Sequence, residues 1–144
     1  MNAVESATTE PDRDRQVDAL MAQVKALPEI GVAPVEAFDP LAEAQLYQAI
    51  RDLTGWHWSA LACRITGQPQ GMYRKDPATR LEWNRILYAV FYAKLAGHSV
   101  TLMPSGVKWY EETFVKLSDS DRQEMWRQIV TGGPISGSLG KRLG

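Results

Sequence analysis

The sequence predicts an all-α fold, a single compact domain of five to six helices around a central buried helix at about 77–96, with flexible termini. Three observations predict it. Apolar residues recur at spacings of three and four, Pro and Gly punctuate the runs between them, and the only β-leaning run, SVTLM at 99–103, is too short to form a sheet without a partner strand. At 144 residues and 44% hydrophobic content, the chain has material for one domain with a core and is short for two.

Residues 1–11 lack apolar periodicity and end in Pro11, which predicts a disordered leader. From Asp12, the residues Val17, Leu20, Met21, Val24 and Leu27 fall at helical intervals until Pro28 stops the run. The stretch from Pro28 to Pro40 holds three prolines and a glycine and is expected to cross the surface as an extended connector, anchored by Ile30, Val32, Val35 and Phe38. Asp39 followed by Pro40 is a helix start signal: the carboxylate caps free amides, and proline gives up no needed N–H at the first position. Leu46, Ala49, Ile50 and Leu53 then mark one face of a second helix, ended by Thr54 and Gly55. A shorter helix is expected from about Trp58 to Ile65, with Leu61, Ala62 and Ile65 inward and Gly67 as its stop.

The same start signal returns at Asp76 and Pro77, opening the central helix that Gly97 closes. Trp83, Leu87, Val90 and Phe91 repeat at helical spacing, and Leu81, Tyr88, Tyr92 and Leu95 widen the apolar surface, so this helix needs neighbours on several sides. After the 99–103 connector, Pro104 and Ser105 introduce a helix with Val107, Tyr110, Phe114 and Leu117 on its apolar face. In the last helix, Met125, Trp126, Ile129 and Val130 form the buried face. Ser120 with Gln123 fits the capping-box spacing, and Ser118 with Asp121 is the rival. The expected organisation is a leader at 1–11, a helical domain at 12–133 and a glycine-rich, basic, flexible tail at 134–144.

The longest apolar run falls far short of the ~20 residues a membrane span needs. The acidic, hydroxyl-rich start does not read as a secretory signal, so a cytoplasmic protein is expected. A single cysteine, Cys63, excludes an intramolecular disulfide, and with only His57 and His98 beside it no conventional zinc site is expected. As a nucleophile Cys63 lacks support. Six residues separate it from His57, which puts the two on different faces of a helix, and no oxyanion-hole glycine run follows. No phosphate-loop or dinucleotide fingerprint occurs. No cofactor, no metal and no enzymatic activity are expected.

The net charge of −1 conceals a segregation. Residues 1–50 carry three basic and nine acidic groups, a net of −6, while 51–98 carry seven basic and three acidic groups, a net of +4. In that basic middle, Arg64, Arg74, Lys75, Arg80 and Arg85 are interleaved with Trp56, Trp58, Tyr73 and Trp83. Guanidinium and ammonium groups neutralise anions, and aromatic faces stack. A helix-turn-helix fits poorly, because Pro69 and the restart at Asp76 leave a recognition helix of only about six residues. Two arrangements stay open: tryptophans exposed beside the arginines, or tryptophans in the core with the arginines as a wet rim. The expectation is a small cytosolic binding or adaptor protein acting through Trp56, Trp58, Arg64, Tyr73, Arg74, Lys75, Arg80 and Arg85, on a protein or nucleic-acid partner and not on a membrane. The alternative is a DNA- or RNA-binding regulator using the same surface.

Overall fold

Two Asp-Pro pairs organise the helical starts as their chemistry requires. In the computed structural model of the chain, which describes residues 10–132, the Asp39 carboxylate accepts from the amides of Leu41 and Ala42, and Asp76 accepts from the amide and hydroxyl of Thr79 at 3.0 and 2.7 Å. Pro40 and Pro77 occupy the first helical positions behind them. The helices are α1 (Glu10–Lys25), α2 (Pro40–Thr54), α3 (Trp58–Thr66), α4 (Pro77–Leu95), α5 (Pro104–Trp109) and α6 (Asp119–Thr131). Short 3₁₀ turns lie at Val35–Ala37 and Gln70–Met72, and a π-turn at Tyr110–Phe114 continues α5. No strand occurs among the described residues.

Helix α4 is the centre. It packs against α2, α3 and α6, while α1 lies across α2 and α3. Its buried residues include Ile86, Tyr88, Ala89, Val90, Phe91 and Ala93, so little of its second half meets water. Glycines in the left-handed conformation end α2 and α3, Gly55 at φ 72° and Gly67 at φ 74°, where a side chain would be strained. The 99–103 segment is an extended connector held by side chains: Gln48 exchanges two hydrogen bonds with Thr101, and the Trp58 indole donates to the Thr101 carbonyl at 2.9 Å.

Several boundaries and faces differ from the sequence expectation. Glu10 and Pro11, expected in the leader, form the first turn of α1, where a proline costs no hydrogen bond. The rest of the leader, 1–9, and the tail lie outside the described residues. The inner face of α2 is Glu43, Ala44, Tyr47 and Ile50, while Leu46, Ala49 and Leu53 are only half-buried. The face is turned because Glu43 is drawn inward by Arg85. Leu95 of α4 is exposed. Ser118, the rival cap, starts α6 by accepting from the amide of Asp121 at 3.0 Å. The helix begins at Asp119, which leaves Ser120 inside its first turn.

The segment read as one helix through Leu117 changes character at Tyr110, whose carbonyl accepts from the amide of Val115, five residues on, at 3.0 Å. Buried Arg122 caps the end of this turn, its Nε donating at 3.0 Å to the Phe114 carbonyl, which also accepts from the Leu117 amide, and its Nη2 donating to the Val115 carbonyl at 2.8 Å. The expected apolar residues Tyr110, Phe114 and Leu117 are nonetheless all buried.

Candidate binding cleft

The start of α3, the turn before α4, the middle of α4 and the 102–109 segment enclose a cleft of about 460 Å³. Its volume lies within the range of small-molecule and side-chain sites. The sequence places aromatic residues on each of these elements, and the fold brings six of them together: Trp58, Tyr73, Trp83, Tyr88, Phe91 and Trp109. Tyr73 and Trp83 meet edge to face with centroids 4.9 Å apart, and Phe91 stacks on Trp109 at 5.1 Å. Tyr88 approaches the Trp109 ring edge-on at 6.0 Å.

Five polar side chains line the cleft, of which His57, Arg74 and Ser105 are exposed. Arg74 is exposed, with its guanidinium carbon 5.4 Å from the Tyr73 ring centroid and 6.0 Å from that of Trp83. His57, Ser59, Asn84 and Ser105 complete the polar lining. Met103, 43% exposed, flanks the opening with a flexible apolar side chain that can adjust to an occupant. The cleft therefore offers a fixed apolar floor beside one cation, suited to holding an apolar or aromatic group with an anion next to it.

The residues expected to form one basic, aromatic surface are dispersed over several places. Tyr73 and Arg74 line the cleft, and Trp58 does so from the core, only 3% exposed and with its indole N–H already committed to Thr101. Trp56 lies elsewhere, under the Arg64 guanidinium at 3.9 Å, lining a separate depression of about 340 Å³ with Cys63 and Gln70. Lys75 and Arg80 are exposed and join no salt bridge among the described residues.

Arg85 is not a surface residue. It is 4% exposed and engages both oxygens of Glu43, through Nε at 2.6 Å and Nη2 at 2.8 Å, with its guanidinium 5.1 Å from the Phe38 ring. The Tyr47 hydroxyl also donates to Glu43 at 2.9 Å. Burial, followed by the Glu43 charge, holds the Tyr47 phenol well above its ordinary range.

Trp109, Leu102 and Met103 belong to the cleft and were not among the expected site residues. A signal for Trp109 was present: it falls off the stripe of Val107, Tyr110, Phe114 and Leu117, and a large aromatic off the buried face needs another place to pack. Cys63 is buried, and its thiol donates to the Gln70 carbonyl at 3.4 Å. Among the described residues, no group of three or more His, Cys, Asp or Glu is placed to hold a metal ion, and no helix is long and apolar enough to cross a membrane. No family model, curated protein or solved structure matches the chain.

Proposed function

We propose that this chain is a small cytosolic, non-enzymatic adaptor that captures a segment of a partner protein. An apolar or aromatic side chain of that segment enters the cleft, and a neighbouring acidic residue meets Arg74. The observation that carries this reading is the joining of six aromatic side chains with one exposed arginine at the mouth of the same cleft. Rigid aromatic walls bury an anchor side chain at low entropic cost, and a rim cation adds selectivity for an acidic neighbour.

Selection of a random peptide display library on the intact protein tests it. The enriched peptides are expected to share an aromatic or large aliphatic anchor beside Asp or Glu. Arg74→Glu should exchange that acidic preference for a basic one, and Ser105→Trp, which fills the mouth, should abolish enrichment. Enrichment indifferent to both substitutions would overturn the reading.

Nucleic-acid binding remains the alternative, supported by the exposed Arg74, Lys75 and Arg80 near the start of α4. It is the weaker reading because Arg85 is withdrawn into the core and Arg64 already covers Trp56, which leaves fewer cations and stacking faces than a nucleic-acid track uses. Affinity for single-stranded and duplex DNA that falls steeply with salt, and is blunted by Arg74→Ala with Lys75→Ala, would decide for it.

A further inference from the structure

A second cavity, of about 530 Å³, lies against another face of α4, beneath the end of α1 and the turn that follows. Its walls are aliphatic: Val24, Leu27, Ile30, Ile65 and Leu81. Its inner end is polar and almost wholly self-satisfied. Tyr47 and Arg85 both direct their hydrogen bonds to Glu43, so arginine and glutamate there form a neutral bidentate pair. Thr66 shares its hydroxyl with that of Thr79 at 2.7 Å. At the rim, exposed Lys25 and Glu29 carry opposite charges.

Glu82 is the group left over. It lines the cavity one turn before Arg85, half-buried, and its carboxylate makes no hydrogen bond or salt bridge with the described residues. Burial raises its proton affinity above the ordinary carboxyl range. The opposing influences of Arg85 and Glu43, which lower and raise it in turn, do not reverse that direction. The carboxylate lies beside aliphatic walls with no hydrogen bond or salt bridge of its own, and the nearby Arg85 charge is already committed to Glu43, so it favours a further cation that can reach it. The walls supply too few oxygen donors for a metal ion, which takes six or more such ligands when it is hard. They suit a hydrocarbon body.

We propose that this cavity binds an alkylammonium group, its ammonium donating to Glu82 and its hydrocarbon chain lying against Val24, Leu27, Ile30 and Leu81. The group comes from a free amine or from a lysine of a partner, and the site is independent of the aromatic cleft.

Calorimetric titration of the intact protein at neutral pH with hexylammonium, hexan-1-ol and hexanoate tests the site, since the three differ in charge and share their hydrocarbon. Hexylammonium is expected to bind about tenfold more tightly than the alcohol, with hexanoate weakest. Glu82→Gln should bring hexylammonium down to the level of the alcohol with an unchanged circular dichroism spectrum, and Arg74→Ala in the cleft should leave it unaffected. Equal binding of ammonium and alcohol by the unaltered protein would overturn the proposal without reference to any variant, as would ammonium binding that survives Glu82→Gln. N-acetyl-lysine amide distinguishes the sources: tighter binding than hexylammonium assigns the group to a partner's lysine, and weaker binding assigns it to a free amine.

Discussion

Arg74 and Arg85 come from the same basic stretch, and each sits near an aromatic ring, yet they do opposite work. Arg85 lies 5.1 Å from Phe38 inside the protein, its charge closed off by both oxygens of Glu43. Arg74 lies 5.4 Å from Tyr73 at the surface, with no salt bridge among the described residues. The difference is desolvation. A guanidinium removed from water must be fully paired and then serves the fold, whereas one left in water keeps its donors for something outside. Net charge counted along a sequence cannot separate the two cases.

The comparison breaks most visibly at the buried arginine. Arg85→Ala leaves Glu43 charged and unpaired in the core and should cost about 3–5 kcal/mol of stability in urea denaturation. Replacing both partners, Arg85→Met with Glu43→Leu, should recover about half of that loss, because the orphaned charge is removed while the buried Tyr47 hydroxyl loses the acceptor it has in Glu43. A double variant as unstable as the single one would mean that the pair itself holds α2 on α4.

A smaller effect is expected from Trp58→Phe, which keeps most of the ring in the core but leaves the Thr101 carbonyl without its indole donor. The loss should be about 1–2 kcal/mol by chemical denaturation, with looser exchange protection through 99–103 as its local sign.

Glu82→Gln should act in the other direction and only over part of the pH range. The Glu82 carboxyl takes up a proton more readily in the folded protein than its ordinary 4.5, because burial penalises the charge. Its contribution to stability is therefore fully present below that ordinary value and is lost as pH rises through the elevated folded one. Glutamine removes this loss. The melting temperatures of the two proteins should coincide in acid and separate towards neutral pH, with the variant higher by roughly 2–4 °C. A constant offset across pH would show that the carboxylate charge is not the cause.

Arg74→Ala should be nearly silent in stability, within about 0.5 kcal/mol, as expected for an exposed charge. Its effect belongs in partner binding, where a loss of about tenfold is expected from the selected peptides. A stability loss comparable with that of Arg85→Ala would erase the distinction between the two arginines.

Local signals carried most of the fold. Asp39-Pro40 and Asp76-Pro77 start α2 and α4 through bonds spanning only two or three residues, and Gly55 and Gly67 end α2 and α3 through their own backbone freedom, so each is readable in place. The site depended on contacts between distant residues and was read only in part. Arg85 looked like a surface cation because Glu43 lies on another helix, and drawing that acid inward also turned the face of α2 away from its most hydrophobic stripe. Trp109 lies off the apolar stripe of its own helix, so periodicity gives it no partner, and its place against Tyr88 and Phe91 is set by packing on α4. Tyr73, Arg74 and Trp58 were identified by type, while their junction with Tyr88, Phe91 and Trp109 is a product of packing around α4.

The π-turn also sets a phase. Each α-helical residue advances the chain by about 100°, so one residue more or fewer between 110 and 114 would swing Trp109 by that angle relative to Phe114. Phe114 is sealed in the core and Arg122 grips the carbonyls at this end of the turn, so the rotation would be taken up on the side of α5. The aromatic wall of the cleft would turn away while the composition of the core stayed the same. Among descendants of this chain, a one-residue insertion or deletion at this turn would redraw the binding surface in a single step, where point substitution would need several.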